Sequence, residues 1–441
     1  MKKTIFPLFL LFFALYAAAQ NAREEIKVNP YLGGDCYTAY QEPTKPLSPT
    51  PEGYEVCYFS HYGRHGSRYL IGKEAYDSPV KILQAAHDAG QLTDKGEDVL
   101  KKCIIIQNDA KGRIEELTPL GAQQHRAIAR RLTERFPEIF GKENIIDAKS
   151  STVIRCILSM ANEMTELQGR NPNLNIKMDA SAHDMYYMNF DDKELKKQKA
   201  PRDSEADKAL KAFRKDKFDP TRVMNTLFKS EDYWKANVEN PDHFIGTYLW
   251  KVAQDQQSLE LRKSFSLLDI FTNDELYNLW LIKNADWYVK YGPSMLNGGT
   301  QIYTQRNLIR TIIAEAEASL SELLKNDNSR LSVPSAHMRF GHDVVVMPAA
   351  CFMNLNGAGT AYDLDDLEKN RWYNYKIFPM ASNIQIVFYR PTTPNAKDVL
   401  VKFLLNEEEA NVPDLKAVKG PYYKWTDVKA YWENKLSKYK E

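Results

Sequence analysis

The sequence predicts an α/β fold, a mixed sheet flanked by helices and interrupted by an inserted, mostly helical cap. Three observations predict it. Runs rich in aromatic and β-branched residues sit in the first and last thirds of the chain. Helical patterns dominate from about 160 to 330. Two apolar runs, Tyr54–Ser60 and Ala336–Phe340, each lead into a glycine-containing turn and then a helical pattern. Sheet strands that end in such turns place their loops at one edge, where open α/β sheets carry their sites.

Taken in order, the chain begins with Lys2 and Lys3, an apolar run from Ile5 to Tyr16, and Ala17-Ala18-Ala19. This pattern reads as a secretory signal, residues 1–19, cleaved before Gln20. The expected location is therefore periplasmic or extracellular. The run is shorter than the roughly 20 residues that span a bilayer. No later stretch is long and apolar enough, so no membrane span is expected. Residues 21–53 are loop-rich, with Pro43, Pro46, Pro49 and Pro51 close together. Tyr54–Ser60 is the first strand. Residues 73–109 look helical.

Thr118-Pro119 opens a long helix, Thr118 as N-cap and Pro119 at the first helical position, running to Phe136. Residues 145–154 read as a short strand and a turn. The middle of the chain, 161–330, is assigned to the helical cap, and residues 20–160 with 331–441 to one split α/β domain. Ala336–Phe340 is a strand, followed through Gly341 by an apolar helix ending near Met353. Ile384–Tyr389 and Val399–Leu405 form a hairpin through Pro391–Lys397.

Composition narrows the function. The 441 residues carry 59 Lys+Arg against 58 Asp+Glu, a formal charge of +1, so no global field for nucleic acid exists. Hydrophobic residues at 43% and charged residues at 27% exclude a disordered chain. The five cysteines, Cys36, Cys57, Cys103, Cys156 and Cys351, are odd in number and show no CxxC spacing, so neither a zinc nor a redox site is signalled. They read as small buried apolar residues; one or two bridges stay open, since export permits them.

The chemistry concentrates in Arg64-His65-Gly66-Ser67-Arg68. Two guanidiniums around an imidazole repel each other unless an anion sits between them. The planar fork of Arg matches a phosphate bidentately. Gly66 allows close backbone approach, and a following helix would aim N–H groups at the same anion. An imidazole with an ordinary pKa of ~6.5 is then placed to attack phosphorus.

These residues resemble the histidine acid phosphatases, the RHGxRxP branch of the histidine phosphatase superfamily. Leu117-Thr118-Pro119-Leu120-Gly121 is similar to that family's LTxxG helix start. Ser150–Ser159 is similar to the segment carrying a third phosphate-binding arginine, here Arg155, and Gly341-His342-Asp343 to the C-terminal HD motif. Order and spacing agree over nearly the whole chain. Met185–Asp192 and Leu404-Leu405-Asn406-Glu407 look most like the multiple inositol polyphosphate phosphatases, which degrade phytate.

The resemblance implies a phosphoglycerate-mutase-like sheet. It implies His65 as nucleophile forming a phosphohistidine, and Arg64, Arg68, Arg155 and His342 as phosphate ligands. Asp343 would protonate the leaving alkoxide, which needs a raised pKa or an acidic working pH. No metal or cofactor is implied. The family's proline is Leu70 here, Val344 and Val345 follow the HD pair, and the inositol polyphosphate branch commonly has His-Ala-Glu at that place.

The expected function is an exported phosphomonoesterase acting on a small phosphorylated substrate, inositol polyphosphates such as phytate. The rivals are a broad acid phosphatase on sugar phosphates or nucleotides, and an inactive member that binds phosphorylated ligands. His61 and His337 read as core or supporting residues. Residues 191–222, with eleven Lys/Arg against eight Asp/Glu, read as a solvated face. The oligomeric state is not legible.

Overall fold

The computed structural model describes residues 21–325, 332–393 and 398–439. The expected signal segment, the cap boundary at 330–331 and part of the turn between 391 and 397 lie outside them. An eight-stranded mixed sheet forms the centre, in the order β3-β2-β4-β1-β5-β6-β7, with β8 beside β6. The strands are β1 Tyr54–Arg64, β2 Ile145–Ser150, β3 Asn175–Asp179 and β4 Pro334–Gly341. They continue as β5 Asn383–Pro391, β6 Leu400–Leu405, β7 Glu408–Ala410 and β8 Tyr422–Lys424.

The register positions the site. β1, β2 and β4 are parallel neighbours, with Arg64 opposite Gly341 and Ser150 opposite Phe340. Three strands therefore end at one edge. β5 runs antiparallel to β1, with Asn383 opposite Gly63, so it begins at that same edge.

β1 extends four residues beyond the expected strand, because Tyr62, Gly63 and Arg64 pair with β4 on one side and Tyr62 and Gly63 pair with β5 on the other. The glycine-rich turn therefore starts at His65. The helical stretch 73–109 is two helices, α1 Glu74–Asp88 and α2 Asp94–Ala110. Gly90 at φ 65° turns the chain between them, and Thr93 caps α2 by accepting from Gly96 N. α3 is Pro119–Arg135 with Thr118 as N-cap, and α4 is Ile154–Arg170. α5 Asn273–Tyr291 starts in a capping box of Thr272 and Glu275. α6 is Arg306–Leu323, and α7 Asp343–Met353 leaves β4 through His342.

Alternation along β1 sends Phe59 to one face and Tyr58 and Tyr62 to the other. Phe59, Ile146 and Met338 pack with Ile128, Leu132, Met160 and Met164 of α3 and α4. Tyr58, Tyr62 and Phe388 pack with Leu308, Ile312, Val346 and Trp432. A third core joins α1 and α2 to the inserted helices, through Leu83, Val99 and Ile106 against Val223, Trp250, Leu279 and Trp280. The helical layer thus shares one core with residues before 111.

The boundary expected at 160–161 falls inside α4, and β3, within the stretch assigned to the cap, pairs with β2 of the main sheet. All five cysteines are buried free thiols. Among the described residues, no helix is long and apolar enough to cross a membrane.

Candidate active site

His65 is the first residue beyond β1. Its N–H donates to Gly341 O at 2.9 Å, and its carbonyl accepts from Ala381 N at 2.9 Å. The backbone is thereby pinned between the end of β4 and the approach to β5. In the side chain, Nδ1 lies 2.9 Å from Gly66 O. A carbonyl only accepts, so Nδ1 holds the proton and Nε2 keeps its lone pair. Burial, then Arg64, Arg68, Arg155 and His342, hold this imidazole well below its usual pKa. The ring is therefore harder to protonate than a free imidazole.

The loop carrying His65 is braced by two helices. Gly66 meets Gly121 backbone to backbone: a Cβ on Gly66 would stand 2.5 Å from Gly121 O. Thr118 Oγ1 donates to Ser67 O at 3.0 Å and accepts from Gly121 N at 3.3 Å. Gln124 accepts from Ser67 N at 2.9 Å and donates to Ser67 Oγ at 3.0 Å. From α4, Ser159 Oγ accepts from Gly66 N at 3.1 Å. Leu70, where the family has proline, donates its N–H to Tyr76 Oη at 2.8 Å. A proline has no such donor, so this loop is closed by a tyrosine instead of a fixed ring.

Arg64 is fully buried, and its Nη1 donates to Cys36 O at 2.8 Å and Phe378 O at 2.9 Å. Its Nη2 lies 2.7 Å from Asp343 Oδ2. Arg68 donates to Tyr69 O at 2.9 Å and lies over the Tyr37 ring, 5.7 Å from its centroid. Arg155 reaches Glu115 Oε2 at 3.1 Å. The Nε of all three arginines is buried without a hydrogen-bond partner. Each such donor costs on the order of 1–3 kcal/mol, so the trio is built for an anion that accepts from it.

His342, the N-cap position of α7, lies with its ring centroid 5.8 Å from that of His65. Ser151 Oγ is 3.1 Å from its Nε2. Burial, with Arg155, Arg64 and Arg68, brings it to about 4 against the pull of Asp343.

Asp343 Oδ1 accepts from Val344 N at 2.8 Å. Burial pushes its carboxyl up, but Arg64, Arg68 and His342 outweigh burial and hold it below the usual range. Of the two alternatives that an acid at Asp343 requires, a raised pKa is therefore not what this arrangement provides.

The structure brings together all six residues singled out in the sequence: Arg64, His65 and Arg68 after β1, Arg155 at the start of α4, His342 and Asp343 after β4. The elements that unite them end at one sheet edge. His337 supports β1, its Nδ1 2.8 Å from Tyr58 Oη, and His61 is buried in the core.

Sequence reasoning missed Asp255 and Tyr37. Asp255 is buried in the helical layer and pushed up to about 7 by burial, with Arg68 opposing. Tyr76 Oη donates to it at 3.4 Å. Nothing local marks it, since its relation to Arg68 comes only from packing. Ser151 lies inside a segment already singled out, and a hydroxyl four residues before Arg155 was the available signal.

A family model described as histidine phosphatase superfamily (branch 2) matches residues 63–406. Among solved structures, the multiple inositol polyphosphate phosphatase of Bifidobacterium longum, in complex with inositol hexasulfate, is 16% identical with a TM-score of 0.75, over 90% of this chain and 96% of that one. The phytase from D. castellii is 15% identical with a TM-score of 0.61, over 92% of this chain and 85% of that one. The Hafnia alvei phytase in complex with tartrate is 10% identical with a TM-score of 0.52, over 87% and 98%. At these identities the likeness is one of fold. No curated protein matches the sequence significantly.

Proposed function

This chain belongs to branch 2 of the histidine phosphatase superfamily and is a hydrolase of the histidine acid phosphatase type, and from that premise we propose that it is an exported phosphomonoesterase acting on inositol polyphosphates such as phytate. The observation that carries the chemistry is a neutral His65 with a free Nε2 among three guanidiniums whose Nε donors lack partners.

In the proposed reaction the phosphoryl oxygens take the donors of Arg64, Arg68, Arg155 and His342. Those donors are fixed before reaction, so they stabilise the charge spread over the oxygens in transfer. Nε2 of His65 forms the bond to phosphorus as the ester P–O bond breaks. The leaving alkoxide takes a proton from Asp343. Water then attacks the phosphohistidine, returning a proton to Asp343, and inorganic phosphate leaves. Asp343 is paired with Arg64 at 2.7 Å. A bound phosphate competes for that guanidinium and adds negative charge beside the carboxyl. Both effects favour the protonated acid, as does acidic pH.

Fold likeness to inositol polyphosphate phosphatases and phytases supports the substrate class, and one of those neighbours holds inositol hexasulfate. The first twenty residues support export by their composition. Phosphate release from phytate beside p-nitrophenyl phosphate tests the reading. Release from phytate is expected. Equal activity across small esters with none on phytate would make the protein a broad acid phosphatase, and no turnover of either would make it a binding protein of the same fold.

A further inference from the structure

Two backbone carbonyls set the orientation of the Arg64 guanidinium. Both accept from Nη1: Cys36 O at 2.8 Å and Phe378 O at 2.9 Å. A guanidinium Nη carries two hydrogens, so both are engaged. Nε and Nη2 are left for a phosphate and for Asp343. The two carbonyls come from distant parts of the chain, one before β1 and one shortly before β5. Their spacing therefore depends on whatever ties those segments together.

A single carboxylate joins them. Asp35 directly precedes Cys36 and is buried. Its Oδ1 accepts from Asn374 Nδ2 at 2.6 Å, and its Oδ2 accepts from Trp287 Nε1 at 3.0 Å. Asn374 opens the short helix Asn374–Ile377; Phe378 caps that helix, donating its N–H to Asn374 O at 2.9 Å. The Trp287 ring, on α5, packs on Phe378 with centroids 4.7 Å apart. Both hydrogen bonds to Asp35 thus lead to Phe378, while its own backbone leads to Cys36.

The carboxyl is kept there at a cost. Asp35 has φ 55° and ψ −129°, a positive φ rare outside glycine, within the 3-10 segment Pro30–Tyr37. Strain of this kind persists where the surroundings over-determine it, and it gathers at functional sites. Burial pushes the carboxyl up to about 7, against the pull of Lys283 and the Trp287 donor. Asp35 also precedes residue 63, where the family match begins, so no motif accounts for it. We propose that Asp35 is a positioning residue for Arg64, its carboxylate locking the two carbonyls that aim the guanidinium at the phosphoryl group. The inference rests on the reading of Arg64 as a phosphate ligand, and its test separates the two.

Binding of inorganic phosphate to the full chain is measured by calorimetry, about one pH unit above 7 so that the Asp35 carboxyl is ionised. Wild type, Asp35→Asn, Arg64→Lys and the double variant form a cycle. Asparagine tolerates the positive φ but turns an amide NH2 toward one of the two donors. Asp35→Asn should weaken phosphate binding on the order of tenfold, since a guanidinium displaced by about an ångström loses its bidentate fit. In the Arg64→Lys background, which has no fork to aim, the same change should weaken binding less than about twofold. Adding Asn374→Asp to Asp35→Asn reverses the 2.6 Å hydrogen bond, keeps an acceptor for Trp280 Nε1, and should restore binding. Unchanged affinity in Asp35→Asn, or an equal loss in both backgrounds, overturns the assignment. Where circular dichroism shows Asp35→Asn unfolded, Trp287→Phe takes its place in the cycle. It keeps a ring on Phe378 and removes the donor alone, with the same expectation and the same refutation. Phosphate bound by Arg64→Lys as tightly as by wild type overturns the reading of Arg64 itself, and this assignment with it.

Discussion

An imidazole flanked by arginines is a weaker base than a free one, and that is what a nucleophile working in acid requires. His65 is held well below its usual pKa by burial and by Arg64, Arg68 and Arg155. The ring is neutral, and competent, at every pH above that depressed value. Corrected for the ester's own ionisation, kcat/KM for p-nitrophenyl phosphate should therefore show no loss on descending through pH 6.5. Arg155→Gln removes one of the depressing charges, so its acid limb should move upward. A wild-type limb near 6.5 would contradict this electrostatic picture.

In the proposed reaction Asp343 acts on the leaving group. Asp343→Asn should reduce turnover of alkyl phosphates on the order of a hundredfold or more, and of p-nitrophenyl phosphate much less, since nitrophenolate leaves without a proton. Equal losses would remove Asp343 as the acid. Most of this was legible in the sequence, because Arg64, His65 and Arg68 are neighbours in the chain and their repulsion is visible on paper. The lowering of the Asp343 pKa was not, since it depends on which guanidinium lies 2.7 Å away.

Between elements, the decisive contact is the one that presses the start of α3 onto the loop after β1. A Cβ on Gly121 would lie 2.3 Å from Ser67 O and 2.8 Å from Ser67 N, backbone atoms that cannot swing aside. Gly121→Ala should therefore cost on the order of 1–3 kcal/mol and move the loop that carries His65. Urea denaturation and turnover should both report it, with kcat falling more than tenfold; a variant matching wild type in both would show that the contact is not constraining.

The capping residues Thr118 and Pro119 announced α3, and apolar runs rich in aromatic or β-branched residues announced β1, β4, β5 and β6. β3 gave no such signal, because its Asn175–Asp179 segment is a largely exposed edge with little apolar pattern. The break between α1 and α2 hinges on the left-handed Gly90, one residue inside an otherwise helical run.

Across the whole molecule, residues 64 and 343 meet because β1 and β4 are parallel neighbours ending in register at Arg64 and Gly341. Motif spacing along the chain implied that meeting, whereas the approach of Asp255 to Arg68 arises from how the helical layer packs. The account stands or falls on the covalent step at that edge.

Rapid-quench trapping with a radiolabelled phosphate ester tests it most directly. The expected result is an acid-labile, base-stable phosphoprotein whose label maps to the peptide containing His65, and which is absent from a natively folded, inactive His65→Ala variant. Label on another residue, or undiminished turnover by His65→Ala, would contradict it.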